Sequence, residues 1–222
     1  MFGSDVLRPV YDFLDTHPTE FLIMSVKREY SDLGCTKPFE TILNQYIGAD
    51  QDQHWFTENR IPLLKEVRRK IVLLRRYRGH LGIDASSWPE NTVWHVDKQY
   101  ADHWLLIEDR FKLYPWDIDW KAVECLKRMK QSAFENRHVR AKLFLIFASG
   151  SYYASPYTIA RFSASGSGVD DLIEDGLDKI FKEKQISGQC LGEARFCSLG
   201  VLVLDFPFHR GSLVELLISL NW

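Results

Sequence analysis

Three features of this sequence predict an α/β fold with a parallel sheet: five short apolar runs, helical periodicity between them, and charged residues at the run ends. The runs are Phe21–Lys27, Ile71–Arg76, Leu105–Asp109, Lys142–Phe147 and Leu199–Asp205. A continuous apolar run of this length, rich in branched residues, reads as a strand buried on both faces, and such strands belong to parallel sheets. Four of the runs end at or beside a charge, namely Lys27, Arg76, Asp109 and Asp205, whereas the fourth continues into Ala148-Ser149-Gly150. Ligands of parallel α/β folds sit at the carboxyl ends of the strands, so these charges are candidates for a polar site.

The elements follow in order. Residues 5–15 place Leu7, Val10, Tyr11 and Leu14 on one helical stripe, with Ser4 or Asp5 as N-cap and His17-Pro18 as the stop. After the first strand, residues 37–48 repeat the helical period. After the second, residues 78–104 contain Gly79, Gly82, Pro89 and scattered aromatics without a helical period. That crossover reads as a loop, with an extra short strand allowed at Thr92–Val96. Residues 117–130 form a helix with Ile118, Ala122, Cys125, Leu126 and Met129 on one face. Residues 168–183 carry Val169, Leu172, Ile173, Leu177, Ile180 and Phe181 opposite an acidic face, and 212–220 align Leu213, Leu216, Leu217 and Leu220. The strand and helix alternation fits either an open doubly wound sheet or part of a barrel. No glycine-rich turn follows the first strand, which excludes the dinucleotide-binding version.

Composition narrows the class further. The 222 residues are 45% hydrophobic and 26% charged, ordinary for a soluble globular domain, and no linker divides them. A net charge of −2 gives no global attraction to nucleic acid. The dense basic stretch Lys65, Arg68, Arg69, Lys70, Arg75, Arg76 and Arg78 reads as a solvated helix end rather than a nucleic-acid surface. Apolar stretches fall short of the roughly 20 residues that span a bilayer, and the N-terminus lacks signal-peptide character, so a soluble chain without a transmembrane segment is expected. The four cysteines, Cys35, Cys125, Cys190 and Cys197, show no metal-site spacing. Cys190 and Cys197 are placed either to pair across a loop or to remain free thiols.

The segments His17–Tyr30 (HPTEFLIMSVKREY), Lys70–Gly79 (KIVLLRRYRG), Ile107–Lys112 (IEDRFK) and Gly200–Phe206 (GVLVLDF) closely resemble, in order and approximate spacing, the C-terminal two thirds of bacterial-type phosphatidylinositol-specific phospholipase C. The first two motifs are fairly specific and the last two are short. The resemblance implies an irregular TIM-type (β/α) barrel in which one crossover lacks its helix, in agreement with residues 78–104. With about five strands of the eight a barrel needs, the barrel is expected to be incomplete, its N-terminal strands lying outside these residues.

The resemblance also assigns roles. It makes Lys27 and Arg76 hydrogen-bond donors to inositol hydroxyls, Asp109 an acceptor from them, and Phe111 the ring that packs on the inositol face where the family usually has tyrosine. Charged groups suit such a substrate because their hydrogen bonds are about twice as strong as neutral ones. Asp205 matches the carboxylate that orients the general-base histidine. Tyr152, Tyr153 and Tyr157, in a loop around Pro156, match aromatics that dip into the membrane interface, where amphipathic rings are favoured. The implied reaction cleaves phosphatidylinositol between diacylglycerol and the inositol phosphate, with the inositol 2-hydroxyl as nucleophile and a cyclic phosphate as first product. No metal or other cofactor is implied.

That chemistry needs a histidine base, a histidine acid and an arginine on the phosphate, which the resemblance places in strands preceding this sequence. The seven histidines here fall outside the matching motifs: His17, His54, His80, His95, His103, His138 and His209. Residues 1–222 are therefore expected to be inactive alone, with His209, closest in sequence to Asp205, as the one candidate substitute. The expected partner is phosphatidylinositol in a membrane, met peripherally. The alternative is a non-catalytic remnant that binds inositol lipid or a partner chain. A metal-dependent glycerophosphodiesterase on the same barrel would need paired acidic ligands where Lys27 and Arg76 stand.

Overall fold

Helical and extended segments alternate in the computed structural model, which describes residues 1–32, 34–48, 51–92, 103–134, 141–161, 167–187, 199–207 and 211–219. Two compact units are present, one of Met1–Trp88 with Tyr100–His103 and one of Pro89–Gln99 with Trp104–Trp222. The expected extra strand at Thr92–Val96 and the Cys190–Cys197 pair lie wholly or mostly outside the described residues.

In the first unit a π-helical turn, Phe2–Leu7, runs into helix α1, Arg8–Thr16. Pro9 is tolerated in its first turn, where no intrahelical N–H bond is lost, and His17-Pro18 stops it. Strand β1 (Leu22–Lys27), helix α2 (Phe39–Gly48), the single-turn helix α3 (Gln51–His54) and strand β2 (Trp55–Phe56) follow. The single-turn helix α4 (Leu64–Val67), strand β3 (Ile71–Arg76) and strand β4 (Ile83–Asp84) complete the unit. Helix α4 was not legible as a period because it is too short; Glu66 caps it by accepting the Leu63 N–H at 2.6 Å. Strands are ordered β1-β3-β2, with β4 also on β3, and these three pairings are parallel.

The register runs from Leu22 opposite Ile71 to Lys27 opposite Arg76. Leu22, Met24 and Val26 of β1, with Ile71 and Leu73 of β3, join Leu7, Leu14, Leu43 and Ile47 in the core under α1 and α2. Because strand side chains alternate, Ile23, Ser25, Lys27, Val72, Leu74 and Arg76 occupy the other face.

The second unit begins with strands β5 (His103–Glu108) and β6 (Lys112–Leu113). A 3₁₀ turn, Pro115–Asp117, leads into helix α5, Ile118–Phe134, which ends four residues beyond the end that the sequence predicts. Strand β7 (Ala141–Phe147), strand β8 (Ser151–Tyr152), helix α6 (Pro156–Arg161), helix α7 (Val169–Ser187), strand β9 (Val201–Val203) and helix α8 (Gly211–Ser219) follow. The main sheet is ordered β5-β7-β9, with β9 parallel to β7; β6 and β8 form a separate parallel pair. All five apolar runs are thus strands.

Leu106, Phe144, Ile146 and Ala148 pack with Ile118, Ala122, Cys125 and Met129 of α5, Ile173 and Leu177 of α7 and Leu213 of α8. Leu202 and Leu204 lie against the same cluster. Ile107 and Leu145, on the other face, are buried too, as strands covered on both sides require.

Residues 79–92 contain β4 and turns without a helix, as the absent period predicts. Gly82 fixes one of these turns: it adopts φ +80°, donates its N–H to the Thr57 carbonyl at 2.6 Å, and a Cβ there would lie 2.5 Å from the Leu73 carbonyl oxygen. Gly82→Ala is expected to destabilise the chain by about 1–3 kcal/mol or more, read by urea denaturation, because left-handed strain and a backbone clash add.

Candidate functional site

In the first unit, Lys27 and Arg76 are the last residues of adjacent parallel strands and stand opposite each other in register. Both lie on the face turned away from α1 and α2. Lys27 Nζ is 2.8 Å from Glu29 Oε1, and the Arg76 guanidinium carbon lies 3.8 Å from the ring centre of the buried Trp88. The indole face holds the guanidinium plane by a cation–π contact. Arg75, one residue earlier, points the other way and is buried rather than solvated. Its guanidinium donates to the carbonyls of Leu81 at 3.0 Å and Tyr77 at 2.9 Å and pairs with Asp84 at 3.4 Å. Arg69 is likewise taken up, by Asp15 at 2.6 Å. Three members of the basic stretch are therefore committed within the protein, two of them in or at the end of a strand rather than a helix.

In the second unit, Asp109 directly follows β5 and donates its N–H to the Thr92 carbonyl at 3.1 Å, forming an antiparallel bridge. The N–H groups of Phe111 and Lys112 both donate to Asn91 Oδ1, at 3.1 and 2.7 Å, and the Phe111 carbonyl accepts from Ser151 N–H at 2.7 Å. Asn91 sits at φ +51°, a conformation asparagine tolerates better than most residues. Asp205 lies two residues beyond β9. Leu204 packs toward the helices, so alternation sets Asp205 on the opposite face, the one that Asp109 also takes. Asp205 is exposed, and partial desolvation still raises its carboxyl above the ordinary aspartate range, opposed by a hydrogen bond from Gly150 N–H and by the charge of Lys121.

A buried ion pair lies on the helix side of this segment, and the sequence reading passed over it. Lys121 Nζ is 2.7 Å from Glu108 Oε2, and both side chains have 0% exposure. The same ammonium donates to the Arg110 carbonyl at 2.8 Å, while Glu108 Oε1 accepts the Arg110 N–H at 3.3 Å. Burial raises the Glu108 carboxyl, with Lys121 pulling against it, and pushes the adjacent Cys125 thiol up to about 12. Cys125 is therefore an inert core thiol. Two signals were present in the sequence: a lysine three residues after Ile118 and four before Cys125, inside the apolar stripe, and a glutamate inside an apolar run.

The tyrosines are corrected in part. Tyr152 ends β8 and Tyr157 lies on α6, so the expected loop contains two regular elements. The reason is local: Pro156 suits a first helical position, and Ser155 caps the turn by accepting the Thr158 N–H at 3.1 Å. Tyr152 and Tyr153 are exposed by 59% and 62%, and with Tyr114 and the 72% exposed Trp116 they form one patch. Tyr114 stacks on Trp116 at 4.7 Å and on Tyr153 at 4.4 Å. Tyr157 meets Phe206 edge-on at 5.4 Å.

Among histidines with described side chains, His54 contacts Asp15 Oδ1 at 3.2 Å and stacks on Tyr11 at 4.5 Å, and His17 stacks on Phe13 at 4.4 Å. His95, His138 and His209 lie outside the described residues. No group of three or more potential metal ligands occurs among the described residues.

Two outcomes are expected from this geometry. Lys121→Met, which leaves a buried carboxylate without its cation, should cost about 3–5 kcal/mol in urea denaturation. Asp205 should titrate above an ordinary aspartate in carboxyl ¹³C NMR. A raised acid pKa means the folded chain holds that proton more tightly, so Asp205 adds stability below its folded pKa and loses it as pH rises through that value. A midpoint at or below the ordinary range would contradict that partial desolvation.

No family profile matches the chain. It is 29% identical over 159 residues to the 1-phosphatidylinositol phosphodiesterase of Staphylococcus aureus strain Newman, covering 67% of this chain and 51% of that protein. It is 25% identical over 210 residues to the 1-phosphatidylinositol phosphodiesterase of Listeria monocytogenes, covering 92% of this chain and 56% of that one. The chain therefore spans about half the length of these curated relatives. A crystal structure of a pentafluoro-Phe-containing phosphatidylinositol-specific phospholipase C from S. aureus superposes with a TM-score of 0.67 at 24% identity, over 97% of this chain and 70% of that one. The L. monocytogenes enzyme does so with a TM-score of 0.63 at 18% identity, over 98% and 69%. No described helix is long and apolar enough to cross a membrane. The chain is thus similar in sequence to the first pair and in fold to the second, all of them bacterial phosphatidylinositol-specific phosphodiesterases or phospholipases C.

Proposed function

We propose that this chain carries the inositol-recognising part of a phosphatidylinositol-specific phosphodiesterase. One observation carries the reading: Lys27 and Arg76 are register partners at the carboxyl ends of two parallel strands, on the face away from the helices. That is where a parallel α/β fold presents ligand-binding side chains. In the first unit Lys27 and Arg76 donate to hydroxyls of an inositol ring. In the second unit Asp109 is assigned as an acceptor from such hydroxyls and Phe111 as a ring face. Asp205 orients the imidazolium of the general base; desolvation raises its carboxyl, and the Gly150 N–H and the charge of Lys121 only partly offset that.

The reaction is attack of the inositol 2-hydroxyl on the phosphodiester, with diacylglycerol leaving and a cyclic inositol phosphate forming. Phosphatidylinositol is reached at the membrane surface, with Tyr152, Tyr153 and Tyr157 at the interface. Tyr114 and Trp116 extend that patch, and rings with polar tips suit the headgroup level. Residues 1–222 alone bind inositol without cleaving the lipid, because the histidine base and acid come from outside the matched motifs. A non-catalytic inositol-lipid-binding role is the second reading. It is consistent with the engagement of His54 with Asp15 and Tyr11 and of His17 with Phe13.

Calorimetric titration of residues 1–222 with myo-inositol tests the binding. Lys27→Met and Asp109→Asn should each weaken it about 10–100-fold, the loss of a charge-assisted hydrogen bond. Phe111→Tyr should change it by less than about tenfold, since the ring face is kept and one neutral hydrogen bond is worth about 0.5–1.5 kcal/mol. Absence of inositol binding by the unsubstituted chain would sink the assignment. Release of inositol phosphate from phosphatidylinositol vesicles separates the two readings: turnover by residues 1–222 would show that one of its own histidines serves as base.

A further inference from the structure

We infer that Lys121 is a positioning residue for the inositol site, holding the Asp109–Phe111 segment in place by gripping the peptide groups of Arg110. This rests on the reading of Asp109 and Phe111 as inositol contacts. After Glu108 the chain leaves β5, and the Arg110 peptide is held by side chains. Its N–H donates to Glu108 Oε1 at 3.3 Å and its carbonyl accepts from Lys121 Nζ at 2.8 Å. Glu108 and Lys121 are themselves joined at 2.7 Å, so the ion pair closes a ring around one residue, Arg110, gripping the two peptide groups that link it to Asp109 and Phe111, the residues assigned to substrate.

The ring is rigid for three reasons. Both side chains are fully enclosed, so neither ion exchanges its partner for water. Lys121 stands on α5, whose neighbours Ile118, Ala122 and Cys125 are packed in the core, so the ammonium has a fixed base. The Arg110 side chain is anchored as well, 3.4 Å from Asp117 Oδ2 and 4.5 Å from the centre of the Trp120 ring. From the other side Asn91 holds the N–H groups of Phe111 and Lys112. A buried ion pair is weak evidence for stability, since apolar replacements of similar size are often neutral or better. What an apolar pair cannot supply is an ammonium for the Arg110 carbonyl and a carboxylate for its N–H.

The test separates positioning from core stability. Glu108→Leu with Lys121→Met removes both charges together and keeps the volume, so no unpaired ion remains in the core. This double variant, Lys121→Met alone and the unsubstituted chain are compared by urea denaturation, myo-inositol titration and amide hydrogen exchange. If Lys121 positions the segment, the double variant recovers most of the stability that Lys121→Met loses. It nevertheless binds myo-inositol at least tenfold more weakly, and the Phe111 and Lys112 amides exchange at least tenfold faster while amides of α7 do not. A double variant with wild-type affinity and wild-type exchange at Phe111 and Lys112 overturns the inference and leaves the ion pair a core element only. If the unsubstituted chain binds no inositol, the functional reading fails by itself, and exchange at Phe111 and Lys112 still decides whether Lys121 holds the segment.

Discussion

Successive side chains of a strand point to opposite faces, and both sheets of this chain are organised by that constraint. Helices cover one face of each sheet: Leu22, Met24, Val26, Ile71 and Leu73 meet α1 and α2, and Leu106, Phe144, Ile146 and Leu202 meet α5, α7 and α8. The other face of each sheet receives every second residue. Lys27 and Arg76 fall there in the first sheet and Asp109 and Asp205 in the second, each at or just past the carboxyl end of its strand. A one-residue slip in any of these registers would bury the strand-end charge under helices and turn an apolar neighbour outward.

Neighbouring acids show how strongly the alternation acts. Glu108 and Asp109 are adjacent in sequence, yet Glu108 enters the helix-covered core and Asp109 takes the opposite face. A carboxylate in an apolar core requires a cation and further hydrogen bonds, and Lys121 and the Arg110 N–H supply them. Arg75 and Arg76 repeat the pattern in the first unit. Arg75 is absorbed by Tyr77, Leu81 and Asp84, and Arg76 lies on Trp88. In both units the charge on the core side is satisfied locally, and the charge on the other side is the candidate for recognition.

The exposed aromatic patch has a different origin. Tyr114, Trp116, Tyr152 and Tyr153 come from the segment before α5 and from the end of β8, brought together by the short β6–β8 pairing that sets Leu113 opposite Tyr152. Isolated exposed aromatics are ordinary, but a stacked group with Trp116 and two tyrosines outward is suited to a surface that is itself part apolar.

The apolar runs and helical periods determined the class of fold, all five main strands, the five long helices and the strand-end charges, because burial on two faces and on one stripe leave different periods in a sequence. Resemblance of short motifs carried the assignment of Lys27, Arg76, Asp109, Phe111 and Asp205. The single-turn helices α3 and α4, the six-residue α6 and the two-residue strands left no period to read, being set by caps and by pairing with distant residues. Tertiary structure alone decided that Lys27 and Arg76 are register partners, that Arg75 is buried, and that Trp88 backs Arg76. It alone decided that Lys121, a lysine within an apolar stripe, meets Glu108 across the core. Each of these depends on which residues distant in sequence are brought within hydrogen-bonding reach, and no local pattern encodes that distance.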